Sequence, residues 1–182
     1  TIKNHIYAAI MKQQLSTIDQ ENVEKKIQTW QKESPEDNFK FRPYVEPEKV
    51  VHKEESEEDM EDDNDEVILT LGEEALLFVH QTKWQRRLLL RYGNELTLLD
   101  ATYKTTKYAL PLFFLVVKTN IDYQIVASFV TQSETTEAVK EALQVIKEWT
   151  PDWSPKSFMV DNADQEINAI EELFPGIFII AV

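Results

Sequence analysis

The fold of this chain is decided by the stretch ELTLLDATYKTTKYALPLFFLVVKTNIDYQIVASFVT, residues 95–131. It contains three runs rich in aliphatic and aromatic side chains, at residues 95–100, 110–118 and 123–131, and such runs are typical of β-strands. Residues 119–122 form a polar link of hairpin length, so we predict that the second and third strands pair antiparallel. The link between the first two strands is also too short for a crossover helix, which predicts a three-stranded meander.

Helices and strands alternate after the meander. Apolar residues recur at helical spacing from near Thr135 to residue 149, and a proline follows. Residues 158–160 form a short buried strand, and a second helix is predicted from near Asn162, where Asn162 and Gln165 stand at capping-box spacing. A last apolar strand covers residues 177–182. We therefore predict an α/β domain with a mixed sheet and the order β-β-β-α-β-α-β.

This order is that of the ribonuclease H-like fold, in which the first and fourth strands lie side by side and parallel. Asp100 ends the first of these strands, and Asp161 follows the fourth. Neighbouring strands lie about 4.8 Å apart, so acids at the same ends of the two strands can bring their oxygens onto one cation. Open α/β sheets also bind ligands at the carboxyl ends of their strands. We predict that Asp100 and Asp161 are catalytic metal ligands; the alternative is that each acid only caps the turn after it.

The chemistry expected of such a pair is phosphodiester cleavage with Mg²⁺ or Mn²⁺. Mg²⁺ takes oxygen ligands and normally shares its shell among one or two carboxylates, water and substrate phosphate. Two such ions can activate an attacking water or 3′-hydroxyl and stabilise the departing oxygen. Carboxylates suit this task because the anionic substrate has to be neutralised by metal before a nucleophile can approach it.

The chain upstream of the sheet divides into regions of different character. We predict a helical N-terminal segment and linker at residues 1–53, an acidic disordered linker at residues 54–66, and a partial ribonuclease H-like domain at residues 67–182. The acidic linker holds ten Asp and Glu residues and no basic residue, and it accounts for most of the net charge of −14. Such a run cannot bury enough apolar surface to offset its ordering entropy, although it can contact partner proteins.

Two short helices are predicted within the first 33 residues. Ile2, Ile6 and Ile10 recur at a spacing of four, and a second apolar stripe comes after the start signal at residues 16–19. The pair can form a DNA-reading helix-turn-helix or a plain helical hairpin that docks elsewhere. Residues 34–51, with their prolines and charges, are predicted to be linker.

A long helix is predicted from about Gly72 to Tyr92, with Gly93 as its stop. Its later half carries four basic residues: Lys83, Arg86, Arg87 and Arg91. Arg86 and Arg87 are candidate contacts to DNA phosphates, which position a nucleic acid without reading its sequence. Lys104 and Lys107, which come after the first acid, are further candidates. For all four the other interpretation is a solvated polar surface.

Composition excludes several classes of protein. The 182 residues contain no cysteine, so disulfides and Cys-ligated zinc are excluded within them. No apolar run approaches the roughly 20 residues that a membrane helix needs, and no secretory signal is recognisable at the start. We expect a protein that neither spans nor anchors in a membrane.

Two segments resemble the catalytic motifs of Mutator-like element (MULE) transposases, which belong to the DDE group. LLDATYKT at residues 98–105, followed by LPL at 110–112, is similar to the first motif. FMVD at residues 158–161, followed by Glu166 and by FPG at 174–176, is similar to the second. The combination of the two segments is more specific than either alone.

The resemblance covers about residues 75 to 182. It implies a cut-and-paste DNA transposase, or a host protein derived from one, with Asp100 and Asp161 as metal ligands. It also implies Mg²⁺ or Mn²⁺ as cofactor of the complete domain, transposon-end DNA as partner, a possible homo-oligomer and a nuclear location.

The chain departs from this family beyond its last strand. Family members continue into a Cys-x-x-His motif, a helical insertion and a helix that bears a third acid, whereas this sequence ends at Val182. Glu166 and Glu171 are interpreted as surface acids because they sit on the helix directly after Asp161. We expect a fold that is incomplete at its C-terminus and a chain that does not cleave DNA by itself. Poor solubility is also expected from the uncovered side of the last strand.

Two other functions remain open at this stage. One is a non-catalytic, domesticated nuclear protein that binds DNA or other proteins. The other is a phosphoacceptor or nucleotide-binding α/β module. The second is disfavoured because three strands precede the first helix of the sheet and because the sequence has no Gly-rich phosphate loop.

Overall fold

The computed structural model describes residues 17–45, 48–51, 67–70, 75–102, 108–161 and 163–182. Its elements, in chain order, are α1 (Thr17–Glu33), β1 (Asn38–Arg42), β2 (Glu48–Val51), β3 (Val67–Thr70), β4 (Leu77–Gln81), α2 (Lys83–Tyr92), β5 (Leu96–Thr102), β6 (Leu112–Lys118), β7 (Tyr123–Thr131), α3 (Thr136–Trp149), β8 (Ser157–Val160), α4 (Asp164–Leu173) and β9 (Phe178–Ala181). None of the helices in these ranges is long and apolar enough to cross a membrane.

Seven strands form one sheet, in the order β1-β4-β7-β6-β5-β8-β9. β8 pairs parallel with β5 on one side and with β9 on the other, and the remaining pairs are antiparallel. Strands β5 to β9 with α3 and α4 have the predicted order β-β-β-α-β-α-β. The prediction of a ribonuclease H-like mixed α/β fold is therefore confirmed.

The meander has the predicted tight connection between β6 and β7. Lys118 pairs with Tyr123 across the hairpin. The backbone N–H of Thr119 donates to the carbonyl of Asp122 at 2.9 Å, and its hydroxyl donates to the same carbonyl at 2.8 Å. A β-bulge between Leu115 and Val116 then shifts the register of the pair.

The sheet has a covered face and an open face. Side chains such as Phe113, Leu115 and Phe129 are fully buried on the covered face, where they form one core with apolar residues of α2, α3 and α4. The residues that alternate with them lie on the open face and are only half-buried, as for Leu98 and Phe114. More exposed apolar residues on the open face are Tyr123, Ile125 and Phe178.

Trp153 fills the core at the end of the sheet where β5 and β8 begin. It is fully buried, and its ring packs edge-on against Phe158 and Phe174 with ring centroids 5.9 and 5.1 Å away. Its indole N–H donates to the hydroxyl of Thr97 at 3.3 Å.

α2 ends at Tyr92, and Gly93 comes directly after it, as predicted. The backbone of Gly93 is right-handed, with φ −76°, so its conformation does not require glycine. Glycine is needed here because there is no room for a side chain. A Cβ on Gly93 would lie 2.6 Å from the carbonyl oxygen of Leu89 and 3.2 Å from Cδ1 of Trp153.

The prediction of one helix from Gly72 to Tyr92 is wrong in its first half. Residues 77–81 form β4, which lies between β1 and β7 and therefore buries its backbone on both sides. Side chains alternate along it between buried and half-buried. The helix begins only at Lys83, because Thr82 and Gln85 make a capping box that starts it there.

The prediction that residues 34–51 are linker is also wrong. Within them, β1 pairs antiparallel with β4 and extends the sheet by one strand. Arg42 on β1 donates twice to the carboxylate of Glu141 on α3, at 2.8 and 2.7 Å, and holds the pKa of that carboxyl below its usual range. This bidentate pair ties the added strand to the covered face.

α1 confirms the second of the two predicted N-terminal helices. It lies against β1 on the open face, where the rings of Trp30 and Phe39 stack with centroids 6.1 Å apart and Phe39 stacks on His80. The first predicted helix, with Ile2, Ile6 and Ile10, lies outside the described residues, so the helix-turn-helix remains a prediction.

The acidic residues 54–66 lie outside the described residues, but the strands on either side are described. β2 and β3 pair antiparallel, and Val51 lies opposite Val67. Two described residues that flank this segment, Val51 and Val67, therefore lie next to each other. The division at residues 53 and 66 stays a prediction.

Replacing Trp153 with alanine should destabilise the fold strongly, because it empties the buried space between β5, β8 and α4. We expect a loss of about 3 to 5 kcal/mol in the free energy of unfolding, measured by urea denaturation. Trp84 is 63% exposed on α2 and provides the matched control. Trp84→Ala should change the free energy of unfolding by less than about 0.5 kcal/mol. Equal effects of the two substitutions would contradict the burial of Trp153.

Candidate metal site

Asp100 and Asp161 lie at the same end of two adjacent parallel strands. The last paired residues of β5 and β8 are Leu98 and Met159, and each acid comes two residues later in its strand direction. Both side chains are exposed. Because neighbouring strands are about 4.8 Å apart, the two carboxylates can approach one cation. We call this end of the sheet the acid end.

Strand alternation assigns Asp100 to the open face. It pairs with Phe114 on β6 and shares a face with Leu98, whereas Leu99 between them is buried on the covered face. α3 and α4 both begin at the acid end and run back across the covered face. The acid end therefore combines two exposed aspartates with two helix N-termini, where the backbone dipole favours negative charge.

The predicted cap of α4 is not the one in the structure. The helix begins at Asp164 and its N-cap is Ala163, which makes no side-chain hydrogen bond. The backbone N–H groups of Glu166 and Ile167 both donate to the Ala163 carbonyl at 3.1 Å, and the N–H of Ala163 donates to the carbonyl of Asp161 at 2.7 Å. Asn162, the predicted cap, lies outside the described residues.

Glu166 was predicted to be a surface acid, and this prediction is wrong. Its side chain is only 3% exposed, and its Oε2 atom is buried with no hydrogen-bond partner among the described residues. The cause is its position in α4, since Glu166 precedes the buried Ala169 and Ile170 by three and four residues and so shares their stripe. That spacing is the sequence signal that identifies it as an inward-facing acid. Glu171 is exposed, as predicted.

Burial and neighbouring acids raise the pKa of Glu166 to about 7. Burial contributes most, followed by the negative charges of Asp161, Glu134 and Asp100 in that order. Glu134 lies just before α3, and burial raises its pKa as well. Glu134 was not among the predicted site residues. It directly precedes Thr135, the N-cap of α3, and nothing in the sequence there distinguishes it from other acids near helix starts. The structure thus groups four acids at the acid end.

The residues present fit the chemistry of a hard divalent cation. Carboxylate oxygens are the ligands that Mg²⁺ and Mn²⁺ prefer, and every charge that shifts the pKa of Glu166 is negative. Within the described ranges, however, no three Asp, Glu or His side chains are placed to hold one metal ion directly. In the described part of the chain, Asp100 and Asp161 are thus two exposed candidate ligands with Glu134 and Glu166 beside them.

The candidate phosphate-binding residues are not all at this site. Arg86 and Arg87 lie on α2, which joins the end of β4 to the start of β5 at the opposite end of the sheet from Asp100. There their positive charges help to lower the pKa of Glu36, which pairs with Lys83. The structure therefore does not bring these two arginines together with the aspartates.

Lys104 and Lys107 lie outside the described residues. Thr102 is the last residue of β5 and Tyr108 lies in the connection to β6, so both flanking residues are at the acid end. The Tyr108 hydroxyl donates to Asp19 on α1, so the N-terminal helix also reaches this end of the sheet. A phosphate-binding role for the two lysines stays a prediction.

Replacing Glu166 with glutamine should stabilise the protein at high pH in the absence of divalent cations. The folded pKa of about 7 lies above the ordinary value of 4.5. Wild-type stability therefore falls as pH rises through the window from about 4.5 to 7, because the folded state holds on to a proton that the unfolded state releases. Above pH 7 the penalty is complete and amounts to at most about 3 kcal/mol.

We expect Glu166→Gln to gain up to that amount at pH 8 and little at pH 5, measured by urea denaturation in EDTA. Glu171→Gln, on the exposed side of the same helix, should be neutral at both pH values. A gain for Glu166→Gln that is independent of pH would show that the carboxyl is not held with a raised pKa.

Comparisons with known proteins agree with the fold. The family model described as "Zinc finger SWIM domain-containing protein 1/3, RNaseH-like domain" matches residues 56–180. A comparison with curated proteins found no match, and neither did one with solved structures. The zinc finger in that description is a feature of the proteins it names, and the 182 residues here contain no cysteine. The match covers more than half of the sequence, and its RNaseH-like designation agrees with the strand order of the sheet. This chain therefore belongs to the family of ribonuclease H-like domains of zinc finger SWIM domain-containing proteins 1 and 3.

Proposed function

We propose that this chain is the ribonuclease H-like part of a transposase or transposase-derived nuclear protein, similar to MULE transposases, that binds a divalent cation and DNA. The observation that carries the proposal is the register of β5 and β8. Leu98 lies opposite Met159 in a parallel pair, and Asp100 and Asp161 each come two residues later along the chain. Two exposed carboxylates placed in this way can share one divalent cation.

Asp100 and Asp161 would hold Mg²⁺ or Mn²⁺, which neutralises an anionic phosphodiester and activates the attacking water or hydroxyl. The contribution of the protein is to hold Asp100 within β5 and Asp161 directly after β8. β5 and β8 lie inside the sheet and are each paired on both sides, so neither acid depends on an edge strand for its position. Lys104 and Lys107, on the connection after β5, are the proposed contacts to the DNA backbone.

We propose that the 182-residue chain does not cut DNA by itself. Phosphoryl transfer requires that the metal be held firmly in place while the phosphate reacts, and members of the family that this chain resembles carry a third acid. No third acid within the described ranges completes a direct ligand set. The same observation favours a second candidate function, a non-catalytic domesticated protein that uses the domain to bind DNA or other proteins.

Addition of MnCl₂ should stabilise the wild-type chain through Asp100 and Asp161. A cation present at ten times its Kd raises the free energy of unfolding by about 1.4 kcal/mol, so the melting temperature should rise with cation concentration. Asp100→Asn and Asp161→Asn should each abolish this rise, because one carboxylate alone holds the ion too weakly. Asp152→Asn is the matched control, since this exposed acid lies at the opposite end of the sheet. An unchanged response in the Asp100 and Asp161 variants would disprove the site.

Incubation of the wild-type chain with supercoiled plasmid and MgCl₂ or MnCl₂ should give no nicking above that of Asp100→Ala. Because a contaminating nuclease would act equally in both preparations, the variant serves as the background. Robust cleavage by the wild type that is lost in Asp100→Ala would show that the two aspartates suffice for catalysis, and would overturn the prediction.

A further inference from the structure

We propose that Glu166 takes part in cation binding from outside the metal's own ligand set: its carboxylate accepts a hydrogen bond from the hydration shell of the ion held by Asp100 and Asp161. This inference rests on the function proposed above. It gives a role to a residue that neither the sequence motifs nor the two-aspartate site explains.

The first observation is the orphaned oxygen of Glu166. Its Oε2 atom is buried and has no hydrogen-bond partner among the described residues, and the side chain as a whole is 3% exposed. Folded proteins seldom leave a buried polar atom unpaired, because its desolvation costs about 1 to 3 kcal/mol. An unpaired carboxylate oxygen next to two candidate metal ligands therefore indicates a partner that binds later.

The second observation is the charge around this oxygen. Asp161, Glu134 and Asp100 all raise the pKa of Glu166, and Asp161 has the largest effect of the three. A neutral or anionic partner would not relieve this repulsion. A hydrated divalent cation would do so, since it brings positive charge, favours the ionised form of Glu166 and supplies O–H donors to its carboxylate, which can only accept.

The third observation favours a contact through water over a direct bond from Glu166 to the ion. No three acids within the described ranges are placed to hold one metal ion. Asp100 lies on the open face of the sheet, whereas α4 packs on the covered face and presents Glu166 from that side. Mg²⁺ usually keeps several of its waters, so a contact through water bridges this separation without moving either element.

A purely structural role would have a different signature. Glu166 occupies the first turn of α4, where any acid gains from the helix dipole. If that were its whole contribution, its replacement would change stability and leave cation affinity alone. Cation affinity therefore separates the two roles.

The test measures Mn²⁺ binding to the 182-residue chain by the loss of the free-ion electron paramagnetic resonance signal, with Mg²⁺ as competitor. Glu166→Gln keeps the shape of the side chain and removes its charge. Glu166→Asp keeps the charge and withdraws the oxygens. Removing partners outside the ligand shell typically weakens metal binding 10- to 100-fold, and we expect about a 10-fold loss for both variants. Glu171→Gln, exposed on the same helix, should bind like the wild type.

Water-proton relaxation of the bound Mn²⁺ gives a second measurement, which folding defects do not mimic. The number of waters on the ion should be the same in the wild type and in Glu166→Gln. One additional water in the variant would show that Glu166 is a direct ligand and would overturn the proposed arrangement. Wild-type affinity in Glu166→Asp would show that charge alone matters and would also overturn it.

Failure of this inference can be distinguished from failure of the proposed function. If Asp100→Asn and Asp161→Asn lose Mn²⁺ while Glu166→Gln retains wild-type affinity, the two-aspartate site stands and the role of Glu166 is refuted. If the wild type itself binds no Mn²⁺, both the site and this inference are wrong.

Discussion

The parallel pairing of β5 with β8 is the constraint on which the rest of this structure depends. Parallel neighbours need a crossover, and α3 supplies it on the covered face between β7 and β8. The pairing also buries Trp153 at one end of the two strands and exposes Asp100 and Asp161 at the other. One set of backbone hydrogen bonds therefore fixes both a stabilising core and the candidate metal site.

The acid end lowers the stability of the fold, and the proposed cation would offset this cost. Glu166 lies on the apolar stripe of α4, where a leucine or alanine would pack without any desolvation cost, and three other acids surround it. Burying a carboxyl in this setting disfavours its charged form, so the folded state takes up a proton rather than a full negative charge. A buried carboxyl lowers the stability of the fold when it is alone, and a nearby cation offsets this cost. Groups with such shifted pKa values are common at functional sites.

Three elements that precede β5, namely α1, β1 and β4, enlarge the sheet and cover part of its open face. β4 and β1 extend the sheet beyond β7, and the bidentate pair of Arg42 and Glu141 joins this extension to α3. α1 lies on the open face next to β1 and reaches the acid end through Tyr108. The basic residues of α2 are at the opposite end, so any DNA contact they make is separate from the metal site.

The sequence by itself determined the order of strands and helices from residue 96 onward, because local periodicity is a property of contiguous residues. It also identified Asp100 and Asp161 as candidate metal ligands, because each comes at the end of an apolar run. Only the tertiary structure decided that residues 77–81 form a strand, since their apolar spacing suits a helix equally well until β1 and β7 pair with them. It also decided that Glu166 lies close to the acids Asp161, Glu134 and Asp100, and that Arg86 is remote from Asp100. Such arrangements depend on which strands and helices pack together. Strands that are distant in sequence pair with each other in the sheet, and no single segment of the sequence specifies this pairing.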